Sequence, residues 1–498
     1  MACRRLLLAS VLALLTGIAP VEAARHEDVT ELLGIDGGKA GRASEIGVPS
    51  AANTSKVDSD TDLTASAHGA HHGEDTHQGT GAHHHAYSVV DIAVGVCFVG
   101  FVLVMTLTLL LANHSDDDVR AAAYFMVSQT VSIFCAVTID GVMGEEIISR
   151  VKVKGDFWTG VVLRALYGLS LVVTVFVRVA RTESKVPMMA TGVLGGHLVG
   201  YAALQVFGPL QRHFDKHAIT TIVVCVSLYY IILRAMLWCF EFLIQDSGEA
   251  RELKIKTIHE CKEDAFAFCN GFLLAQASKF YILGFIPEMH CQPQGRSQQE
   301  ITKLFCVVGL YSLIVCVLAP LKKFAHVISL AQRTAGMAAA WLLVFAGEWQ
   351  LFREAETPSY ASGIMLVTFA NTMVGYALVV SLDFVADRKW IRPSSVRAVI
   401  SLVAAMVGIS WEKAFHEADH AVASGLDSKY RWRFRSLLDV AIVLIVLQGW
   451  RWLILPRAIE YEEASEEKHE KEEEEEEEHA GEPRAEEGQK PAQAPAPQ

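Results

Sequence analysis

From Val89 onward the chain alternates long apolar runs with short polar breaks. Eleven such runs recur, near 89–112, 121–143, 157–180, 187–207, 218–243, 264–286, 300–320, 327–351, 362–386, 396–414 and 436–456. Each holds about 20 residues, enough to cross a hydrocarbon core as a helix. In lipid a spanning segment must satisfy its own backbone, and a helix does so within one segment. The expected fold class is all-α: a polytopic transmembrane helix bundle of about eleven spans. The count is ten or eleven, because Ser410, Glu412 and Lys413 thin the end of the tenth run.

The flanks have other patterns. Arg4 and Arg5 precede "LLLASVLALLTGIAP", and "VEA" offers a small-residue cleavage site after Ala23, so residues 1–23 read as a signal peptide. This predicts entry into the secretory pathway, with residence in the plasma membrane or an endomembrane. Residues 24–86 are rich in Gly, Ala, Ser, Asp and His, too poor in large apolar groups to fold, and predict a disordered lumenal or extracellular arm. Asn53-Thr54-Ser55 on this arm is a glycosylation sequon. Asp58, Asp60 and Asp62 open like a calcium loop, but Leu63 replaces the required glycine and no glutamate closes it. After Pro456, residues 457–498 begin "RAIEYEEASEEKHEKEEEEEEEH" and become Pro/Ala-rich, an acidic tail expected to be disordered, transiently helical and cytosolic.

Charge changes the picture little once the flanks are separated. The net charge of -13 belongs to them: the tail has sixteen acids against five bases, and residues 24–87 have ten against four. What remains is slightly positive, as expected of a body whose main partner is the lipid bilayer, and no nucleic-acid partner is implied. The ten cysteines form no C-x-x-C pair, and most lie in apolar runs, where a thiol behaves as a small hydrophobe. With a lumenal N-terminus, "RVARTESK", "LKK" and "DRKWIRPSSVR" fall on the cytosolic side, as the positive-inside rule asks. "KYRWRFR" (Lys429–Arg435) falls on the opposite side.

Candidate chemistry lies in ionisable residues inside the spans, which are costly in lipid and therefore face a bundle interior or an aqueous cavity. Asp140, Arg164, His197, Arg234, Glu241, Lys279, Glu348, Asp383 and Glu412 are the candidate pathway or ion-pair residues. Arg164 and Arg234 lie deep enough to require a carboxylate or carbonyl partner. Asp140, Lys279, Glu348 and Glu412 share the same end of even-numbered spans, so convergence there would line a polar vestibule. The alternative role for all of them is structural pairing between helices. Gly192, Gly196 and Gly200, at four-residue spacing, predict close helix packing in preference to a hinge. His197 beside them is expected to be a satisfied bundle histidine.

Two patterns point to metal. His68, His71, His72, His77, His83, His84 and His85 form a tract on the arm that resembles the histidine-rich arm of ZIP zinc importers. His416-Glu417-Ala418-Asp419-His420 spells H-E-x-x-H, which in zinc proteases sets two imidazoles one turn apart beside a general base. It superficially resembles the first motif of intramembrane zinc proteases, yet only one span follows, and Asp439 in "LLDVAI" lacks the following glycine. ZIP importers pair two metal motifs on adjacent helices, and here only a fragment of one is present. Trp411, Phe415, Ala418 and Val422 form an apolar stripe against Glu412, His416, Asp419 and His420, which predicts an amphipathic helix end at the membrane surface. Zinc or another divalent cation at His416 and His420, or at His83, His84 and His85, is a minor expectation; no cofactor is required.

"WLLVFAGEWQLFREAE" (Trp341–Glu356) echoes "AAMVGISWEKAFHEAD" (Ala404–Asp419), a pattern that duplication or a shared interfacial ending could produce. "GISWEKAF", "WRWLILPR" and "AFAFCNGFLLAQASKFYILGFIP" resemble a group of many-span membrane proteins from dinoflagellate algae. That resemblance covers the latter half of the chain, and it brings no activity or site. The leading expected function is a transporter or channel for a small polar solute or cation, on the density of intramembrane charge. A non-transporting receptor or scaffold with structural ion pairs is second, and a membrane zinc metalloprotease third. No phosphate-binding P-loop is present to drive transport.

Overall fold

The computed structural model describes residues 89–151, 157–214, 217–244, 248–287, 296–321, 326–354, 360–388, 390–424, 426–464 and 467. The signal segment, the arm with Asn53, His83, His84 and His85, and most of the acidic tail lie outside these residues. The described chain consists of eleven helices: α1 Val89–Ala112, α2 Asp117–Val151, α3 Phe157–Arg181, α4 Lys185–His213, α5 Ala218–Leu243, α6 Glu249–Leu283, α7 Gln298–Leu318, α8 His326–Glu354, α9 Tyr360–Asp387, α10 Pro393–Ser424 and α11 from Ser428. Ten of them, α2 to α11, are long and apolar enough to cross a membrane. The protein is a multi-pass integral membrane protein.

Helix boundaries follow local chemistry. α7 starts with a capping box: Ser297 Oγ accepts from the Glu300 N–H at 3.3 Å, and the Glu300 carboxylate accepts from the Ser297 N–H at 2.8 Å. α6 ends at Gly284, whose φ of +79° is the left-handed conformation that favours glycine at a helix C-terminus.

The helices sort by parity. α4 packs on α6, α6 on α8, α8 on α10, α10 on α2 and α2 on α4, so the five even helices close into a ring. α3, α5, α7 and α9 each pack outside the even helix that follows, while α11 lies against α2 and α10. Burial follows the same division for most helices: 61–72% of the apolar stretch is buried in each ring helix, against 17–28% in α3, α5, α7 and α11, while α9 at 56% is nearly as covered as the ring. The outer helices turn Leu166, Ile231, Trp238, Leu313 and Ile445 outward, toward the position of lipid.

Ring helices run parallel. Down α4 and α6 the contacts climb together, from Gly192 against Thr257 to Gly200 against Phe268. A Cβ at Gly192, Gly196 or Gly200 would come within 2.5–3.0 Å of α6 atoms, so the glycine stripe is a close-packing surface, as its spacing predicts. The ring interior is filled by aromatics, with Trp341 of α8 4.9 Å from Phe272 and 5.8 Å from Phe268 of α6. Outer helices run against their partners: Thr368 Oγ1 of α9 donates to the Ser410 carbonyl of α10 at 2.9 Å, whereas Gly375, farther along α9, faces Val403 and Val407, earlier on α10.

Several boundaries differ from the sequence expectation: α6 starts at Glu249, well before its apolar run at 264, and α2 continues to Val151, past its run's end at 143. α10 runs unbroken past the end of its apolar run at residue 414 to Ser424, as its amphipathic pattern predicts, and Glu412, His416 and Asp419 of the polar stripe face other helices. α11 continues past Pro456, through a π-helical turn at Trp450–Ile454, to Ala464. Pro456 has no N–H for the carbonyl one turn earlier, and a widened turn accommodates that loss. The last turns of α11 are held from outside the helix. Ile459 is buried, Tyr461 stacks on Tyr124 at 5.5 Å, and Glu463 pairs with Lys185.

Candidate functional site

The C-terminal halves of the parallel ring helices bring the sequence-predicted charges to one end of the bundle, in two separate groups. The first surrounds a cavity of about 390 Å³ between α2, α4, α10 and α11. Helical spacing builds it. Glu412, His416 and Asp419 recur every three to four residues along one face of α10; Tyr201 and Gln205 on α4, and Arg435 and Asp439 on α11, are each one turn apart. Asp140 of α2 completes the wall, 1% exposed, with no partner for its Oδ1 among the described residues. Among the described residues, four carboxylates, one guanidinium and one imidazole line the space, so its ionisable lining is mainly acidic.

Arg435 is the guanidinium of this cavity's wall among the described residues. Its Nε donates to Asp419, and its terminal nitrogen lies 3.2 Å from His416 Nδ1. "KYRWRFR", read in sequence as a basic loop on the unexpected side, thus sends Arg435 inward. Arg431 reaches back to the Ser424 and Leu426 carbonyls at 3.1 and 3.3 Å, covering the end of α10. The H-E-x-x-H pair is split: His416 faces the cavity and Arg435, whereas His420 is exposed. Neither belongs to a cluster of three potential metal ligands among the described residues.

The second group lies across α10. Lys413, the residue after Glu412, is 2% exposed and pairs with the buried Glu348 of α8. Lys279 of α6, also 2% exposed, places its ammonium 3.5 Å from the centroid of Phe345, a ring that Lys413 approaches at 5.2 Å. One residue is about 100° of helix rotation, which turns Glu412 toward α2 and α11 and Lys413 toward α6 and α8.

Arg164 lies beside the cavity and acts electrostatically on Asp140, whereas the other candidates lie elsewhere. Arg164 donates to the Gln205 carbonyl at 3.4 Å, and Arg234 lies 3.8 Å from Glu241, which also meets His259 at 3.0 Å. Both arginines therefore have the partners their depth demands. His197 is buried with its Nδ1 3.0 Å from Ser132 Oγ and its ring edge-on to Phe268. Asp383 joins neither group; it clusters with Asp116 and Asp387. A further network at the opposite end ties Arg333 to Asp264 at 2.7 Å and to Glu263 at 3.4 Å, with His326 3.0 Å from Glu263.

Arg435, Lys413, Tyr201 and Gln205 were absent from the candidate residues. Lys413 was legible as a charge beside Glu412 inside a span. Arg435 carried no such signal, because it sits among other cations at a helix start. Comparison with protein-family models, characterised proteins and solved structures finds no match to this chain, so the site stands on its own geometry.

Proposed function

We propose that the protein moves a small cation, or a small polar solute carrying positive charge, across the membrane by way of the cavity beside α10. The supporting observation is an excess of carboxylates around an internal space of about 390 Å³, with the buried Asp140 Oδ1 lacking a partner among the described residues. Carboxylates at this depth attract cations: Arg435 pairs with Asp419, and Arg164 acts electrostatically on Asp140. The volume is at the lower end of small-ligand sites, suited to an ion with some water or a solute of a few heavy atoms.

A purified, full-length protein in proteoliposomes tests this with a panel of monovalent and divalent cations. Flux of at least one cation is expected, and Asp140→Asn should abolish it while thermal unfolding stays unchanged. Equal flux in Asp140→Asn and in the unsubstituted protein would overturn the proposal.

The structural alternative draws on Arg435–Asp419 and Lys413–Glu348, pairs that join separate helices. It predicts no flux and a loss of folded protein whenever one partner is removed. The zinc-protease alternative has less support. A catalytic zinc needs three protein ligands, and the imidazole nitrogen of His416 faces a guanidinium. Stoichiometric zinc in the purified protein, lost on His416→Ala, would restore it.

A further inference from the structure

The buried charges across α10 do not balance. Lys279 and Lys413 are each 2% exposed, and Glu348 is the carboxylate between α8 and α10 that pairs with Lys413. Lys279 has neither an ion-pair nor a hydrogen-bond partner among the described residues; its ammonium rests on the face of Phe345. A ring face attracts a cation but supplies no formal charge. Lys413, Arg212 and Arg296 add positive potential at Lys279, and Glu348, already paired with Lys413, is the carboxylate that opposes them. An ammonium in such a place normally has a countercharge, and the helices supply one carboxylate for two lysines.

From this imbalance we infer that Lys279 and Lys413, beside Phe345 at the junction of α6, α8 and α10, form a binding site for a small monovalent anion. The anion supplies the missing negative charge, accepting hydrogen bonds from the Lys279 ammonium and from the Lys413 protons that Glu348 leaves unused. Its size is limited: both ammoniums lie within 5.2 Å of one ring centroid, and the surrounding side chains are buried. A halide or an anion of a few atoms fits this description. The site is separate from the acidic cavity and does not rest on the proposed cation transport.

Chloride is the probe. Thermal unfolding of the full-length protein in detergent is measured as chloride replaces gluconate at constant ionic strength. The unsubstituted protein should become more stable as chloride rises, with a saturating dependence. Lys279→Met should lose this response, and Lys279→Arg, which keeps the charge, should retain it. Glu348→Gln should make the response steeper, because the anion then neutralises two cations alone. An unsubstituted protein indifferent to chloride, or a Lys279→Met variant that keeps the full response, would overturn the assignment. If Lys279→Met fails to fold, equal unfolding of the unsubstituted and Lys279→Arg proteins in chloride and gluconate overturns it as well.

Discussion

Two polar groups flank one helix, and neighbouring residues of α10 belong to opposite sides. Glu412 faces a cavity rimmed by Asp140, Asp419 and Asp439, where acids outnumber bases. Lys413 faces Glu348 and Lys279, where bases outnumber acids. The first group encloses open space; the second is packed against Phe345. The difference shows that dense intramembrane charge does not by itself describe one pathway. Its sign, and the space around it, separate an acid-lined cavity from a packed cluster in which lysines outnumber carboxylates.

The largest expected effect breaks the basic side. Glu348→Gln leaves Lys413 buried beside Lys279 with no carboxylate, at a cost of about 3–5 kcal/mol. Thermal unfolding should show it, and the double variant Glu348→Gln/Lys413→Met should recover most of the loss. A double variant as unstable as the single would mean that Glu348 acts through other contacts. On the acidic side, Arg435→Gln should cost about 2–3 kcal/mol, less than Glu348→Gln, because the pair it breaks is more exposed and borders the cavity. Equal losses at the two pairs would erase the contrast between them.

The ring that holds both groups apart is open to a separate test. Gly200→Ala places a methyl 2.9 Å from the Ala265 carbonyl and the Phe268 Cβ, and should cost about 1–3 kcal/mol by forcing α4 from α6. A neutral result would mean that the two helices can separate freely at that level. The smallest effect belongs to the surface: Lys185→Ala removes a pair with Glu463 that is about half exposed, worth about 0–1 kcal/mol. A larger loss there would show that the end of α11 contributes more to the fold than its exposure suggests.

The span pattern was legible in the sequence because hydropathy is a local property that a lipid-facing helix must satisfy by itself. Each of the eleven apolar runs overlaps one of the eleven helices, although α2, α6, α10 and α11 extend well beyond theirs. The division into ring and outer layer was legible in principle: every ring helix is less apolar than every outer helix among the ten that span. Asp140, Lys279, Glu348 and Glu412 stood out as costly charges, and their convergence at one end follows from parallel even helices. Their separation into two groups did not stand out, because it depends on which neighbour each face of α10 meets. Arg435 was hidden for the same reason: a cation at a helix start has the same composition whether it turns toward water or toward Asp419.

The most direct test asks whether the two groups respond independently and with opposite sign. Stabilisation of the purified protein by a transported cation and by chloride would be measured in the unsubstituted chain, in Glu412→Gln and in Lys279→Met. Glu412→Gln should lose the cation response and keep the chloride response, and Lys279→Met should do the reverse. If either substitution removes both responses, or neither, α10 does not divide two sites of opposite charge.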